Sequence, residues 1–291
     1  MANRNYSLTI LGSYSGRNAG DAAILASMMG TISRQIGEDT VFEVPTTHPD
    51  FIEKHYGKKF KVRPVNVMPW TGSIRLLGIP TFRSIARTDA VLITDGIIFD
   101  VNLWNPLFNF LIILIFLVPF AKLMGKKVVC YNIGIGPLRS YWGRRFAKFV
   151  GDYSDLIMVR DEDSVKLFRE IGVEKEIHLT ADAVFQNWGT PEKLPSLLAE
   201  FGIDKAAAEG RLIGVNVTRY ADRWLAANEK IKSKESFLER LAQVIVRLKT
   251  EKNIESAIFI TQIMDVAYGR ELVAHVSRIY SEKTGKSWTP A

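Results

Sequence analysis

Two loops carry carboxylate or amide side chains next to glycines. The first loop contains Asn18, Gly20 and Asp21 immediately before a helical sequence. Glycines let a ligand approach the backbone closely, and the free N–H groups at a helix N-terminus attract anions. The spacing fits neither the dinucleotide fingerprint nor the Walker pattern. The alternative interpretation is that Asn18 or Asp21 caps the helix.

The second loop, Asp95–Asp100, follows the apolar strand sequence Asp89–Thr94. A carboxylate of this loop could bind sugar hydroxyls. Turn chemistry explains the same residues equally well, because Asp-Gly is a common turn pair.

Two further segments place glycines or an arginine directly after strand-like sequences. Gly134 and Gly136, in Gly-Ile-Gly-Pro, would let a ligand approach the backbone. Arg160 could bind a carboxylate or phosphate with two parallel hydrogen bonds. It could instead form a structural ion pair with Asp161 or Asp182. Asp163 or Ser164 is expected to cap the helix that follows.

The elements that must position these residues alternate between short apolar strands and amphipathic helices. This alternation predicts a parallel sheet covered by helices, with ligands bound beyond the carboxyl ends of the strands. We expect a first Rossmann-like domain at 1–190, a linker at 191–210 and a partial second Rossmann-like domain at 211–291. The second domain is expected to be incomplete, because two β-α units are too few for a doubly wound sheet.

Composition is that of an ordinary globular α/β protein of 291 residues with one cysteine and a net charge of +7. The four histidines show no metal-ligand spacing, so no metal site is predicted. The N-terminus does not resemble a signal peptide, which favours a cytoplasmic location.

Two segments without acidic residues, Lys54–Thr88 and Val101–Gly151, indicate either anionic partners or a solvated basic face. The apolar run Phe110–Val118 is interpreted as a buried helix. Its alternative is a helix lying on a membrane surface, with the following lysines at the headgroups. Nucleic acid is not expected as a partner, because no recognised binding module is present.

Taken together, the loops resemble the polysaccharide pyruvyl transferase family. The resemblance runs from about Tyr6 to about Tyr280 and rests on the order and spacing of several short motifs. These are Asn18-x-Gly20-Asp21-x-x-Ile24, Asp89-Ala-Val-Leu-Ile, Gly134-Ile-Gly-Pro137, Arg160-Asp161-x-x-Ser164-x-x-x-Phe168-x-x-x-Gly172, Ala181-Asp182 and Thr261-Gln-x-x-Asp265.

The resemblance implies a GT-B-like fold of two doubly wound domains. It also implies transfer of pyruvate from phosphoenolpyruvate to a sugar of a cell-surface polysaccharide precursor, with release of phosphate. The donor is a substrate, and no cofactor is expected. The acceptor would be a lipid-linked or nucleotide-linked glycan. The N-terminus favours the cytoplasm, and a peripheral contact at the inner face of the membrane is the alternative that the basic segments and the run Phe110–Val118 indicate.

By resemblance, Arg160 would bind the anionic end of phosphoenolpyruvate. The cleft would be lined by Asn18, Gly20, Asp21, Gly134, Gly136, Ser164 and Asp182. Asp95 or Asp100 would orient the acceptor. No catalytic acid or base is assigned.

Two departures from the family pattern keep other functions open. The glycine run expected after the Asp-Ala-Val-Leu-Ile strand reads Thr94-Asp-Gly-Ile here. The family's late Arg-x-His element does not follow Asp265, so the chain is expected to be a fragment or a catalytically incomplete member. The alternatives are a GT-B-like glycosyltransferase that uses a nucleotide sugar and a membrane-surface partner in polysaccharide assembly.

Overall fold

The chain divides into two structural units, Met1–Trp188 and Gly189–Ala291. The computed structural model describes residues 5–66, 78–104, 109–186, 193–218 and 233–291. Parts of three expected segments lie outside the described residues. These parts are 67–77 of the first basic segment, 105–108 of the second, and the start of the linker at 191–192.

The described part of the first unit contains a parallel sheet of seven strands, as the alternating sequence pattern predicted. The strands are β1 (Ser7–Leu11), β2 (Val41–Pro45), β3 (Lys61–Val65), β4 (Ala90–Ile93), β5 (Lys127–Ile133), β6 (Leu156–Val159) and β7 (His178–Leu179). Their order across the sheet is β3-β2-β1-β4-β5-β6-β7. All neighbouring pairs are parallel, so the carboxyl ends of all the strands lie at one edge.

Helices join these strands and cover both faces of the sheet. They are α1 (Ala19–Ile36), α2 (Pro49–Tyr56), α3 (Ile79–Arg87), α4 (Leu111–Leu123), α5 (Tyr141–Tyr153) and α6 (Glu162–Glu170), followed by a short 3-10 helix, Ala183–Gln186. Side chains of a strand alternate between the faces. On β1, Ile10 packs into the cluster that includes α1 and α2, and Leu11 packs into the cluster that includes α4 and α5.

The apolar run Phe110–Val118 forms most of α4, and one side of that helix is buried. Leu111, Leu114 and Val118 are almost fully buried in the core. Phe116 and Leu123 on the other side are 63% and 83% exposed. The interpretation of a buried helix is therefore confirmed for the core-facing residues. Within the described ranges, no helix has the length and apolar character needed to cross a bilayer.

The second unit contains two parallel strands among its described residues, β8 (Leu212–Asn216) and β9 (Glu255–Phe259). Its helices are α7 (Leu194–Glu200), α8 (Asp204–Ala208), α9 (Lys234–Lys252) and α10 (Val266–Thr284), with a 3-10 helix at Ile263–Asp265. Apolar residues of α9 and α10 pack together as its core, with Leu238, Ile245, Leu272 and Val276 at the centre.

The segment expected as a linker, 191–210, is largely helical where it is described. It contains α7 and α8, and it falls within the second unit. The linker was expected from Pro191, Pro195 and a run of Ala, Glu and Lys residues, and these last three residue types are also strong helix formers. Residue composition alone therefore did not separate a linker from short surface helices.

Candidate functional site

The candidate site lies at the edge of the first unit's sheet where the strands have their carboxyl ends, here called the carboxyl edge. The strand order reverses between β1 and β4, which pair directly from Leu8 opposite Ala90 to Leu11 opposite Ile93. In open parallel sheets this reversal opens a crevice that binds ligands. The loops after β1, β4, β5, β6 and β7 all meet this edge, and these loops and the first turns of α1 and α6 carry the residues proposed from the sequence.

The loop after β1 positions Asp21 through a helix cap. Asn18 precedes α1 in an extended conformation, and its Oδ1 accepts a hydrogen bond of 2.9 Å from the backbone N–H of Gly20. The Asn18 Nδ2 donates to Asp21 Oδ1 at 2.9 Å. Asn18 is thus the cap, one of the two capping residues considered, and Asp21 is held in the first turn with its side chain partly buried.

Asp95 begins the loop after β4 with φ 67°, a left-handed conformation. Its Oδ1 accepts a hydrogen bond of 2.6 Å from the backbone N–H of Gly96. Ser13 lies near both residues: its side chain lowers the pKa of Asp21, and its backbone N–H lowers the pKa of Asp95. The two aspartates, here called the carboxyl pair, therefore share one crevice.

Burial and mutual repulsion keep a proton on the carboxyl pair. Burial raises the pKa of Asp21 to about 8, and the charge of Asp95 adds to this, while hydrogen bonds from Ser13 and Asn18 and the charge of Arg160 oppose it. Burial also raises the pKa of Asp95, with a further contribution from Asp182. Since two carboxylates close together in a partly buried crevice cannot both ionise easily, protonation of one affects the pKa of the other.

Arg160 provides the positive charge at this edge. Its Nη1 lies 2.9 Å from Asp182 Oδ2, and its Nε lies 3.7 Å from Asp161 Oδ2. A Cβ atom on Gly134 would lie 2.7 Å from the Arg160 Nε, so a side chain at this position would displace the guanidinium from the loop after β5. Both ion pairs considered as alternatives are therefore present, and they hold the guanidinium beside the carboxyl pair.

Ser164 positions a loop instead of capping α6. Its buried Oγ accepts a hydrogen bond of 3.0 Å from the backbone N–H of Ile135. The cap is Asp161, whose Oδ1 accepts from the Ser164 N–H at 2.7 Å. The expectation that Asp163 or Ser164 caps this helix is wrong, because Asp161 is the last extended residue before the first turn.

Hydrogen bonds to backbone groups join the loop after β4 to the loop after β5. Gly136, at φ 104° before a cis peptide bond to Pro137, donates its N–H to the Ile98 carbonyl at 2.8 Å. Asp100 Oδ2 accepts from the backbone N–H groups of Arg139, at 2.6 Å, and of Ser140. Asp100 thus fixes the start of α5, whereas Asp95 faces the crevice.

Sequence reasoning missed Ser13 and Tyr14 as site residues. Tyr14 is 2% exposed, its hydroxyl hydrogen-bonds Thr94, and burial raises its pKa well above the usual range. A tyrosine inside a Gly/Ser-rich loop was a usable signal, since buried tyrosines need a hydrogen-bond partner. Within the described ranges, His, Cys, Asp and Glu form no group of three suited to a metal ion.

Replacing Arg160 by alanine should lower the free energy of unfolding by about 2–3 kcal/mol at pH 8 and by less at pH 6. The variant leaves Asp182 and the carboxyl pair without the positive charge of Arg160. At lower pH a proton on the carboxyl pair removes negative charge, so the loss of Arg160 destabilises the fold less. Urea unfolding at both pH values measures the difference.

The exposed helical Arg145 supplies the control for this measurement, because its replacement by alanine should change stability by no more than about 0.5 kcal/mol. Equal losses in the two variants would show that Arg160 does not compensate the buried carboxylates.

Comparison with known proteins is consistent with the sequence motifs. A family model described as polysaccharide pyruvyl transferase matches residues 18–290. No curated protein matches the chain. Among solved structures, a Listeria monocytogenes protein assigned as a UDP-N-acetylglucosamine 2-epimerase has a TM-score of 0.51 at 12% identity. The alignment covers 94% of this chain and 66% of that protein, just under two thirds of its length.

This similarity shows the fold, which is α/β and GT-B-like, as the motifs implied. A hexameric APS kinase from Thiobacillus denitrificans also matches, at 11% identity over 94% of this chain and 58% of the kinase. Its TM-score of 0.23 is too low to support a common fold.

Proposed function

Because the chain belongs to the polysaccharide pyruvyl transferase family, we propose that it transfers pyruvate from phosphoenolpyruvate to a sugar of a cell-surface polysaccharide precursor. The observation that carries this proposal is the family match over residues 18–290. The carboxyl edge supplies the second line of support, since its side chains suit a substrate rich in hydroxyl groups.

The reaction needs proton transfers at two kinds of atom. The methylene carbon of phosphoenolpyruvate takes up a proton, which leaves a cationic centre at the neighbouring carbon. A sugar hydroxyl adds to that centre and loses its proton. When a second hydroxyl of the same sugar adds, phosphate leaves and a cyclic ketal forms. One hydroxyl proton ends on the new methyl group, and the other leaves with phosphate or solvent.

The carboxyl edge is better suited to the sugar than to the donor. Asp21, Asp95 and Asp182 lie near the guanidinium of Arg160, which Asp182 already binds at 2.9 Å. An excess of carboxylates repels a phosphate dianion but accepts hydrogen bonds from hydroxyls. Arg160 therefore serves as the counter-ion of the carboxylates in this proposal, instead of as the expected phosphoenolpyruvate anchor. The donor's phosphate and carboxylate then require cations elsewhere.

The carboxyl pair is the candidate acid and base. A general acid or base works best when its pKa lies near the working pH, and burial brings the pKa of Asp21 to about 8. A pair that retains one proton can accept a proton from a sugar hydroxyl on one oxygen and donate from another. Asn18, which accepts a hydrogen bond from the Gly20 N–H, donates to Asp21 and holds it in place for this role.

The direct test combines binding with turnover. The full chain is titrated with phosphoenolpyruvate by calorimetry and then incubated with it and a panel of lipid-linked and nucleotide-linked sugars. We expect binding of phosphoenolpyruvate, and phosphate release that requires both substrates. Labelled phosphoenolpyruvate identifies the ketal carbon by NMR. Absence of binding and of phosphate release would contradict the proposal, and release of a nucleoside diphosphate from a nucleotide sugar would favour a glycosyltransferase.

A further inference from the structure

An aromatic stripe runs along one side of α5. It consists of four residues at helical spacing: Trp142, Phe146, Phe149 and Tyr153. Trp142 and Tyr153 are 50% and 47% exposed, and the two phenylalanines are half-buried. The rings of Trp142 and Phe146 lie 5.7 Å apart, and those of Phe149 and Tyr153 lie 4.4 Å apart. The stripe therefore presents packed aromatic rings to solvent.

Two further aromatic residues widen the stripe at the start of the helix. Trp104, in the loop region after β4, packs edge-on at 6.3 Å from Trp142 and 6.0 Å from Phe146. Tyr141 packs at 5.5 Å from Trp142. Both are more exposed than the stripe itself, at 63% and 67%. Tryptophan and tyrosine combine an apolar ring with a polar group, which suits them to the boundary between water and lipid.

Basic residues accompany these aromatic residues along the sequence. No acidic residue occurs from Val101 to Gly151. Arg144 pairs with Glu170 and Lys148 with Asp152, which neutralises those two cations. Arg139 and Arg145 are exposed, and within the described part of the chain neither has a carboxylate within 4 Å. Their guanidinium groups are available to anions in solution.

We propose that the aromatic stripe, with Trp104, Tyr141, Arg139 and Arg145, docks on an anionic phospholipid surface. The rings would enter the headgroup region while the two arginines bind lipid phosphates. A second copy of the chain is a poorer occupant, because a two-fold contact would bring two like-charged stripes together. The surface differs from the expected one, the run Phe110–Val118, since the core-facing side of that helix is buried.

The test is sedimentation of the full chain with vesicles of phosphatidylcholine alone or mixed with equal parts of phosphatidylglycerol. We expect binding to the anionic vesicles at low salt and its loss at high salt. Replacing both Trp104 and Trp142 by serine, or Arg145→Glu, should weaken this binding about tenfold or more. These side chains are exposed, so circular dichroism should show an intact fold.

Two matched variants locate the contact. Phe201→Ser removes a ring that is 57% exposed in the second unit and should leave binding unchanged. Phe116→Ser removes the exposed ring of α4 and should also have little effect. The proposal is overturned by absence of binding at low salt, by equal binding of all variants, or by loss only in Phe116→Ser. A dimer dissolved by the double tryptophan variant would assign the stripe to a second copy instead.

Discussion

Replacing Asp95 by asparagine should slow pyruvyl transfer by about 100- to 10,000-fold, the range expected when a general acid or base is removed. The amide keeps the shape of the side chain but cannot accept or release a proton at neutral pH. The variant also removes the charge that raises the pKa of Asp21. The remaining carboxyl should then ionise at lower pH, so the pH profile of the residual activity should shift as well.

The fold should tolerate this change. Asp95 has φ 67°, a conformation that asparagine adopts more readily than most residues, and the amide oxygen can still accept the hydrogen bond from Gly96. The measurements are kcat and KM for phosphate release with the acceptor identified by the turnover test. Asp163→Asn, at a side chain 94% exposed, is the matched control.

The kinetics of Asp95→Asn test the role of this residue separately from the proposed transferase activity. Full activity in Asp95→Asn would exclude the carboxyl pair from catalysis but leave the transferase assignment intact. A raised KM with unchanged kcat would restrict Asp95 to binding the sugar. Asp163→Asn must keep the wild-type kcat, KM and pH profile, because this control makes the same chemical change outside the crevice.

The sheet and the edge that carries the candidate site could be predicted from the sequence because strand and helix patterns alternate. Apolar runs such as Ala90–Ile93 and Leu156–Val159 are short and lack a polar face, which is typical of strands covered on both sides. Once the sheet is parallel, the residues after each strand must meet at one edge. Asp95, Gly134 and Arg160 could therefore be placed together without any knowledge of the strand order.

The roles of the same residues could not be predicted, because they depend on burial and backbone geometry. Asp95 and Asp100 belong to one short loop, yet only Asp95 joins the carboxyl pair, whereas Asp100 binds the backbone of Arg139 and Ser140. Similarly, Ser164 was a reasonable cap from its position but instead binds the Ile135 N–H. The cap lies two or three residues before the expected ones, and this shift gives Ser164 its different role.

The aromatic stripe also could not be predicted from the sequence, because it depends on which side chains are buried. Basic residues and an apolar run at Phe110–Val118 suggested a membrane contact, but sequence alone could not tell which apolar side chains the core would use. The core takes Leu111, Leu114 and Val118, and leaves the rings of Trp104 and Trp142 outside. The side chains proposed to contact the membrane are therefore identified by their solvent exposure and not by hydrophobicity alone.

Replacing Asp21 by asparagine should stabilise the fold at pH 8 and make its stability less dependent on pH. The carboxyl has a pKa of about 8 in the folded protein, against an ordinary value of 3.8. Between these values the folded state holds a proton that the unfolded chain has released. The free energy of unfolding therefore falls as pH rises through this window, by at most about 1.4 kcal/mol per pH unit.

An asparagine carries no such proton, so the variant should gain about 2–3 kcal/mol over wild type between pH 5 and pH 8, allowing for the partial exposure of Asp21. Urea unfolding across this range measures the slope, and Asp163→Asn should keep the wild-type slope. An unchanged slope in Asp21→Asn would show that Asp21 does not hold the proton. A variant that is more stable but slower in turnover would show that the buried carboxyl is retained for chemistry at the expense of stability.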